Sequence, residues 1–224
     1  MPHGTQQCWL TANGGNPSFK TLQMALFPYL EAYRLEAGCD EAGWGCLAGP
    51  VVAAAVILPE EFEHEWLRDS KQMTAKRRET LRVYIETLAL AWAVAAVGER
   101  VIETINILQA SLTAMHEAVQ QLSIQPHHLL IDGNTFKPYP NIPHSCIVKG
   151  DQKYQSIAAA SVLAKTHRDA HMLRLHQQFP VYQWDSNKGY PTKSHRQAIV
   201  NHGITDYHRQ TFQFKTNDLV LPES

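Results

Sequence analysis

The sequence predicts an α/β layered domain built on a mixed sheet, and three observations carry that prediction. Two extended-looking runs, 35–40 and 51–58, are joined by a glycine-containing turn and read as an opening hairpin. After them, β-compatible runs alternate with helical periodicity, the pattern of strands covered by helices. Three of the strand ends carry acids: Asp40-Glu41, Asp132 and Asp151. In open sheets of this kind, sites gather at strand ends.

Taken in order, residues 1–23 are polar and turn-rich and read as a loose N-terminal extension; residues 24–224 form the domain. The first strand spans 35–40. The second, 51–58, is a run of small and β-branched residues bounded by Pro50 and Pro59, which suits a buried strand. The polar loop 69–74 follows, and Thr74 is placed to cap a helix over 75–86. Residues 88–97 are apolar and β-compatible, a third strand ended by Gly98. Over 99–122, Val101, Ile102, Ile105, Leu108, Leu112, Met115 and Val119 recur at helical spacing. That is one long amphipathic helix or two consecutive ones. Residues 128–132 form a fourth strand ending in an acid and Gly133. A short fifth strand over 146–148 runs into Lys149-Gly150-Asp151. Helices over 156–178 and 194–202 flank the Asn187-Lys188-Gly189-Tyr190-Pro191 turn, and an aromatic tail follows.

Composition bounds the rest. The chain has 224 residues, 44% apolar and 18% charged, enough for one globular domain with a real core. A net charge of −1 argues against holding nucleic acid by bulk charge, though a local basic groove stays open. Cys8, Cys39, Cys46 and Cys146 form no Cys-x-x-Cys pair and read as buried small residues rather than disulfides or zinc ligands. His167 and His171 stand at helical i,i+4 spacing, but a zinc site there lacks a third ligand. No segment resembles a signal peptide or a membrane span, so the expected setting is reduced and cytoplasmic, with no membrane partner.

The acids carry the chemistry. A carboxylate pair beside a buried strand costs desolvation energy unless something compensates it, and a divalent cation is the usual compensation. Neighbouring side chains on a strand point to opposite faces. Asp40 and Glu41 therefore share an ion only if the strand ends or bulges there, which Gly43 and Gly45 permit. The alternative is a turn with solvated acids, and for Asp151 a helix cap near Ser156.

The ordered blocks Gly38-Cys39-Asp40-Glu41-Ala42-Gly43-x-Gly45, 47–58, Asp69-Ser70-Lys71-Gln72, Leu130-Ile131-Asp132-Gly133, Lys149-Gly150-Asp151, 157–165 with Arg168-Asp169, Asn187-Lys188-Gly189-Tyr190 and His208-Arg209-x-x-Phe212 resemble bacterial ribonuclease HII, the type 2 ribonuclease H family. The resemblance covers nearly the whole chain from Leu35 to Phe214. It implies a ribonuclease H-like mixed five-stranded sheet flanked by helices, with a helical C-terminal portion that helps hold the hybrid. It implies an endonuclease that cuts the RNA strand of RNA–DNA hybrids and nicks duplex DNA 5′ of an embedded ribonucleotide, leaving 3′-hydroxyl and 5′-phosphate ends. The family's four acids match Asp40, Glu41, Asp132 and Asp151. Two Mg²⁺ or Mn²⁺ ions about 4 Å apart can activate water, stabilise the phosphorane-like state and support the leaving oxygen. Asp40 would bridge them, with Glu41 and Asp132 completing one shell and Asp151 the other.

Substrate reading is also implied by the resemblance. A Gly-Arg-Gly backbone and a tyrosine recognise the 2′-hydroxyl, the group that separates RNA from DNA, and they match Gly43-Trp44-Gly45 and Tyr190. Trp44 replaces the arginine: the backbone contacts survive, a side-chain contact to phosphate does not, and stacking can take its place. Lys71 and Lys165 match family positions and rank first as phosphate contacts, ahead of Lys149, Lys188 and Lys193. Arg168-Asp169 reads as structural. The partners expected are RNA–DNA hybrid and duplex DNA with embedded ribonucleotides, bound by a monomer. A replication clamp stays an open partner, since Phe212-x-Phe214 and Leu219-Val220-Leu221 form no secure clamp motif. Two competing readings are a binding protein on the same fold and a metal-dependent nuclease for another substrate such as branched DNA. The retained acids count against the first, and the long match outside the acids counts against the second.

Overall fold

The computed structural model describes residues 25–69 and 73–212, with side chains at 68 and 69 excepted. The N-terminal extension, Cys8, Lys71, Phe214 and the 219–221 segment lie outside the described residues.

The five expected strands form one sheet. They are β1 (Glu36–Ala42), β2 (Val51–Ile57), β3 (Ala91–Val97), β4 (His128–Asp132) and β5 (His144–Ile147), arranged β3-β2-β1-β4-β5. The opening hairpin is present: β1 runs antiparallel to β2 with Asp40 opposite Ala54. β3 adds antiparallel to β2, and β4 and β5 add parallel on the other side. The sheet is mixed, as the alternation of patterns predicts.

The helices are α1 (Ala75–Leu88), α2 (Glu99–Gln120), α3 (Gln155–Gln178), the single turn α4 (Trp184–Asn187) and α5 (Lys193–His202). Thr74 caps α1 as expected, its hydroxyl accepting from the Arg77 N–H at 3.3 Å. α1 runs on to Leu88, so the third strand starts later than its apolar run. Leu88 and Leu90 are exposed, and the chain turns at Ala89, whose N–H closes the helix on the Ile85 carbonyl. α2 is the two-helix alternative. Asn106 has φ 66° and ψ 167°, and its side-chain oxygen accepts from the Gln109 N–H, capping a second segment. The fifth strand lies earlier than expected. Cys146 is exposed on it rather than buried, because β5 is the sheet edge; Cys39 and Cys46 are buried, and all three are free thiols.

β2 is buried on both faces, which explains its unbroken run of small residues. Val51, Ala53, Ala55 and Ile57 join the core under α2, whereas Ala54 and Val56 pack against Leu81 and Ile85 of α1 and Ala158–Ala160 and Leu163 of α3. Full burial of a side chain such as Ile57 contributes about 1.5–3 kcal/mol. A third core joins Leu47 and Ala48 to Met172, Leu175, Tyr182, Trp184, Ala198 and Ile199, so the helical C-terminal part packs onto the loop between β1 and β2.

Gly38 sets how closely α3 lies on β1. A Cβ there would fall onto the backbone of Ser156 and Ile157, nearer than real Cβ atoms approach anything. Gly38→Ala is therefore expected to cost about 2 kcal/mol through overpacking. Calorimetry should show Tm lower by about 6 °C; an unchanged Tm would mean α3 is not seated on this strand.

Candidate active site

The acids meet where two strands part. β1 pairs with β2 through Ala42, so the strand neither ends nor bulges at Asp40-Glu41, contrary to that expectation. Its pairing with β4 instead stops at Cys39 opposite Ile131, one residue before Asp40 and Asp132. The neighbour leaves rather than the strand breaking, and a notch opens between the C-terminal ends of β1 and β4. Asp40 turns toward α3, where the Ser161 hydroxyl and the Glu41 N–H (2.7 Å) donate to it. Glu41 reaches out of the notch into the wall of an adjoining cleft.

Asp132 and Asp151 are joined through the chain between them. Lys149 takes a left-handed turn (φ 56°) after β5, which lifts Asp151 off the strand into the 3-10 turn Gly150–Gln152. The Gly150 N–H donates to Asp132 Oδ1 at 2.7 Å, and Asp151 is buried beside it. The N-cap residue of α3 is Tyr154, three residues after Asp151.

Burial is the first cause of an electrostatic cost here. It drives the Asp40 carboxyl well above the usual carboxylate range, and the charges of Glu41 and Asp132 add to it. Glu41 is pushed up to about 7, again by burial first and Asp132 second. These carboxylates repel one another through a medium of lower dielectric than water.

The cleft beside the acids encloses about 430 Å³. Its wall brings together Glu41, Gly43, Trp44, Gly45, Lys165 and Tyr190, six of the residues singled out in the sequence. Trp44 is 43% exposed and Tyr190 36%, so both rings are open to a ligand. Lys165 Nζ sits 5.4 Å from the Tyr190 ring centroid and is paired with Asp169 Oδ1 at 2.6 Å. Arg78 and Ser161 also line it, beside Ala42 and Val162, and sequence reasoning had not picked them out. Ser161, Lys165 and Asp169 repeat every fourth residue on α3, a spacing that marks one helix face. Arg78 lies in the first turn of α1, just after the Asp-Ser-Lys loop, and carried no signal of its own. Lys188, by contrast, directs its Nζ to the Asp185 carbonyl, and Lys149 and Lys193 are exposed outside this cleft.

Two buried guanidinium groups hold the loop that forms the wall. Arg168 donates to the carbonyls of Pro50 (3.0 Å), Ala48 (3.0 Å) and Lys188 (2.8 Å). Arg209 donates to Gly49 (2.8 and 3.0 Å) and to Trp44 (3.0 Å). The structural reading of Arg168 holds, although its partners are carbonyls; Asp169 pairs with Lys165 instead. Gly43 has φ 101°, and a Cβ there would strike the Arg168 side chain, so both conformation and space require glycine. The Gly189 carbonyl accepts from the Leu47 N–H at 2.8 Å, tying the Tyr190 loop to the same wall.

The family model for ribonuclease HII matches residues 37–216. The chain belongs to the ribonuclease HII family. It is 63% identical over 187 residues to the ribonuclease HII of Bacteroides thetaiotaomicron, covering 84% of this chain and 94% of that one. Among solved structures it resembles the ribonuclease H2 of Pyrococcus horikoshii OT3 with a TM-score of 0.67 at 24% identity, over 81% and 95% of the two chains. A PCNA:RNase HII complex from Archaeoglobus fulgidus matches with a TM-score of 0.66 at 25% identity, over 80% and 95%. These ribonuclease H structures share the five-stranded mixed sheet and the helical C-terminal part.

The donor set fits a hard divalent cation in kind. Carboxylate oxygens are what Mg²⁺ and Mn²⁺ select, and the raised titration of Asp40 and Glu41 marks a negative charge that a cation would relieve. Among the described residues no three His, Cys, Asp or Glu side chains are closed to the spacing of a formed metal site.

The sign of the pH dependence follows. Glu41 binds its proton more tightly in the folded chain than in the unfolded one, where its value is 4.5. Its favourable contribution is complete below about pH 4.5 and is lost as pH rises through about 7. In chelator-treated protein, Tm should fall across that window, and Glu41→Gln should flatten the fall and raise Tm at pH 8 by a few degrees. Identical profiles for the two proteins would contradict this assignment.

Proposed function

We propose that this ribonuclease HII is an endonuclease that hydrolyses the RNA strand of RNA–DNA hybrids and nicks duplex DNA 5′ of embedded ribonucleotides. Asp40, Glu41, Asp132 and Asp151 hold divalent ions, Mg²⁺ or Mn²⁺, which when bound supply a nucleophilic water and stabilise charge on the phosphate. The observation that carries this reading is the meeting of the acid notch with the cleft of Gly43, Trp44, Gly45, Lys165 and Tyr190.

The chain's own residues position the substrate. The backbone of Gly43 and Gly45 approaches the ribose closely, since neither carries a side chain; a 2′-hydroxyl is bound there and a deoxyribose leaves the same groups unpaired. The Tyr190 ring packs on the sugar, because its hydroxyl is engaged with the Cys46 sulfur and its face is left to the cleft. Lys165 and Arg78 face the phosphates; Asp169 pairs closely with Lys165 at 2.6 Å and lies 4.0 Å from Arg78. Trp44 offers a stacking surface in place of a cationic contact. Its carbonyl is anchored by Arg209, so a changed side chain leaves the backbone reader in place. A net charge of −1 agrees with a protein that binds through this local groove. No described helix is long and apolar enough to cross a membrane. The domain assignment of 24–224 and a monomeric state are part of the same proposal, and a sliding clamp is a partner consistent with it.

The test is cleavage of a DNA duplex carrying one ribonucleotide, with Mg²⁺ or Mn²⁺. The wild type should give a single 5′ nick, and Asp132→Asn should lower the rate at least about a thousandfold, as loss of a metal-binding carboxylate does. Cleavage of long hybrid alone would retain the catalytic assignment and remove ribonucleotide reading at Gly43-Trp44-Gly45. Metal-dependent cleavage of neither substrate would favour a binding protein.

A further inference from the structure

Behind Tyr190 lies a buried polar cluster that takes no direct part in the chemistry above. His195 and His208 are essentially inaccessible, and Trp184 beside them is fully buried. Burying two imidazoles inside an aromatic core is costly unless each nitrogen is satisfied. Here the partners fix how they are satisfied.

His195 Nδ1 lies 3.0 Å from the Tyr190 carbonyl oxygen. A carbonyl only accepts, so Nδ1 carries the proton. His195 Nε2 lies 3.0 Å from the Trp184 indole nitrogen, which only donates, so Nε2 accepts. His208 Nδ1 accepts from the Thr205 N–H at 2.9 Å, which places the proton of its neutral ring on Nε2. That nitrogen stands 3.3 Å from His195 Nε2 and donates to it. One arrangement accommodates these contacts: the Trp184 N–H and the more distant His208 Nε2–H share the single lone pair of His195 Nε2, and His195 donates from Nδ1 to Tyr190. Burial holds both rings neutral, lowering His195 and taking His208 down to about 4.

The receiving carbonyl belongs to a residue whose ring position matters. The Tyr190 oxygen also accepts from the Thr192 N–H at 2.8 Å, and the Tyr190 N–H donates to the Asn187 carbonyl at 2.9 Å. Lys188, two residues earlier, is left-handed at φ 51°, so the loop is not held by regular structure. We propose that His195 is a positioning residue for substrate recognition: its Nδ1–H fixes the Tyr190 carbonyl, and thereby the Tyr190 ring in the cleft, with Trp184 and His208 locking the tautomer. The proposal rests on the reading of Tyr190 as a ribose contact.

A double-mutant cycle on the full chain tests it, with KM and kcat for the single-ribonucleotide duplex as readouts. His195→Gln keeps an acceptor near the Nε2 position and removes the donor to Tyr190. His195→Asn keeps a donor near the Nδ1 position. We expect His195→Gln and Tyr190→Ala each to raise KM about tenfold with kcat changed less than about twofold, the double variant to be no worse than about twofold beyond either single one, and His195→Asn to stay within about threefold of wild type. Effects of His195→Gln and Tyr190→Ala that multiply would overturn the proposal and leave the Tyr190 reading intact. A KM unmoved by Tyr190→Ala would overturn both. The wild-type protein gives a measurement that no folding defect can obscure. Histidine ¹⁵N spectra should show His195 protonated at Nδ1 and His208 at Nε2, and a His195 proton on Nε2 would overturn the proposal by itself.

Discussion

The gathering of carboxylates in a partly buried notch is the constraint on which the rest of this molecule turns. Asp40, Glu41 and Asp132 stand at the parted ends of β1 and β4, where burial and the neighbouring carboxylate charge disfavour ionisation of Asp40 and Glu41. Such a cluster is tolerable only on a scaffold stiff enough to resist its spreading. The sheet supplies that. β1 is flanked by β2 and β4, covered by α3 through Gly38, and backed on its other face by the core under α2.

The cleft wall is held by a different device. Residues 43–50 connect β1 to β2 and carry no regular structure, yet six guanidinium hydrogen bonds from Arg168 and Arg209 pin them and the Tyr190 loop. Both arginines are fully buried, and burial takes Arg209 down to about 10. Buried cations answered by carbonyl dipoles are expensive to disturb: losing either leaves several carbonyls unsatisfied, each costing about 1–3 kcal/mol. The arginines come from α3 and from the segment after α5. The helical C-terminal part therefore builds the floor of this loop and packs a core of its own against Leu47 and Ala48.

Much of this was legible in the sequence. The small, β-branched and apolar runs pointed to all five strands, most plainly at β2, which is buried along its whole length, whereas β3 and the edge strand β5 are only partly buried. Boundaries failed where local sequence and tertiary context disagreed: Leu88 is apolar but helical and exposed, and Cys146 sits on an edge strand. The acid pair was found by composition, but the way it is accommodated was not. That depends on where β4 leaves β1, a register fact that no residue in either strand announces. Arg78, Ser161 and the His195–His208 cluster were missed for a related reason. Each acquires its role from a partner more than ten residues away, or from a helix face that becomes meaningful only once the cleft exists.

Calorimetric titration of Mn²⁺ into the wild-type chain and Asp40→Asn, in the absence of nucleic acid, tests the central claim most directly. If the repelling carboxylates are a cation site, the wild type binds Mn²⁺ and its Tm rises with the ion, while Asp40→Asn loses both the affinity and the rise. A wild type that takes up no Mn²⁺, or a variant that binds as tightly as the wild type, would contradict the account.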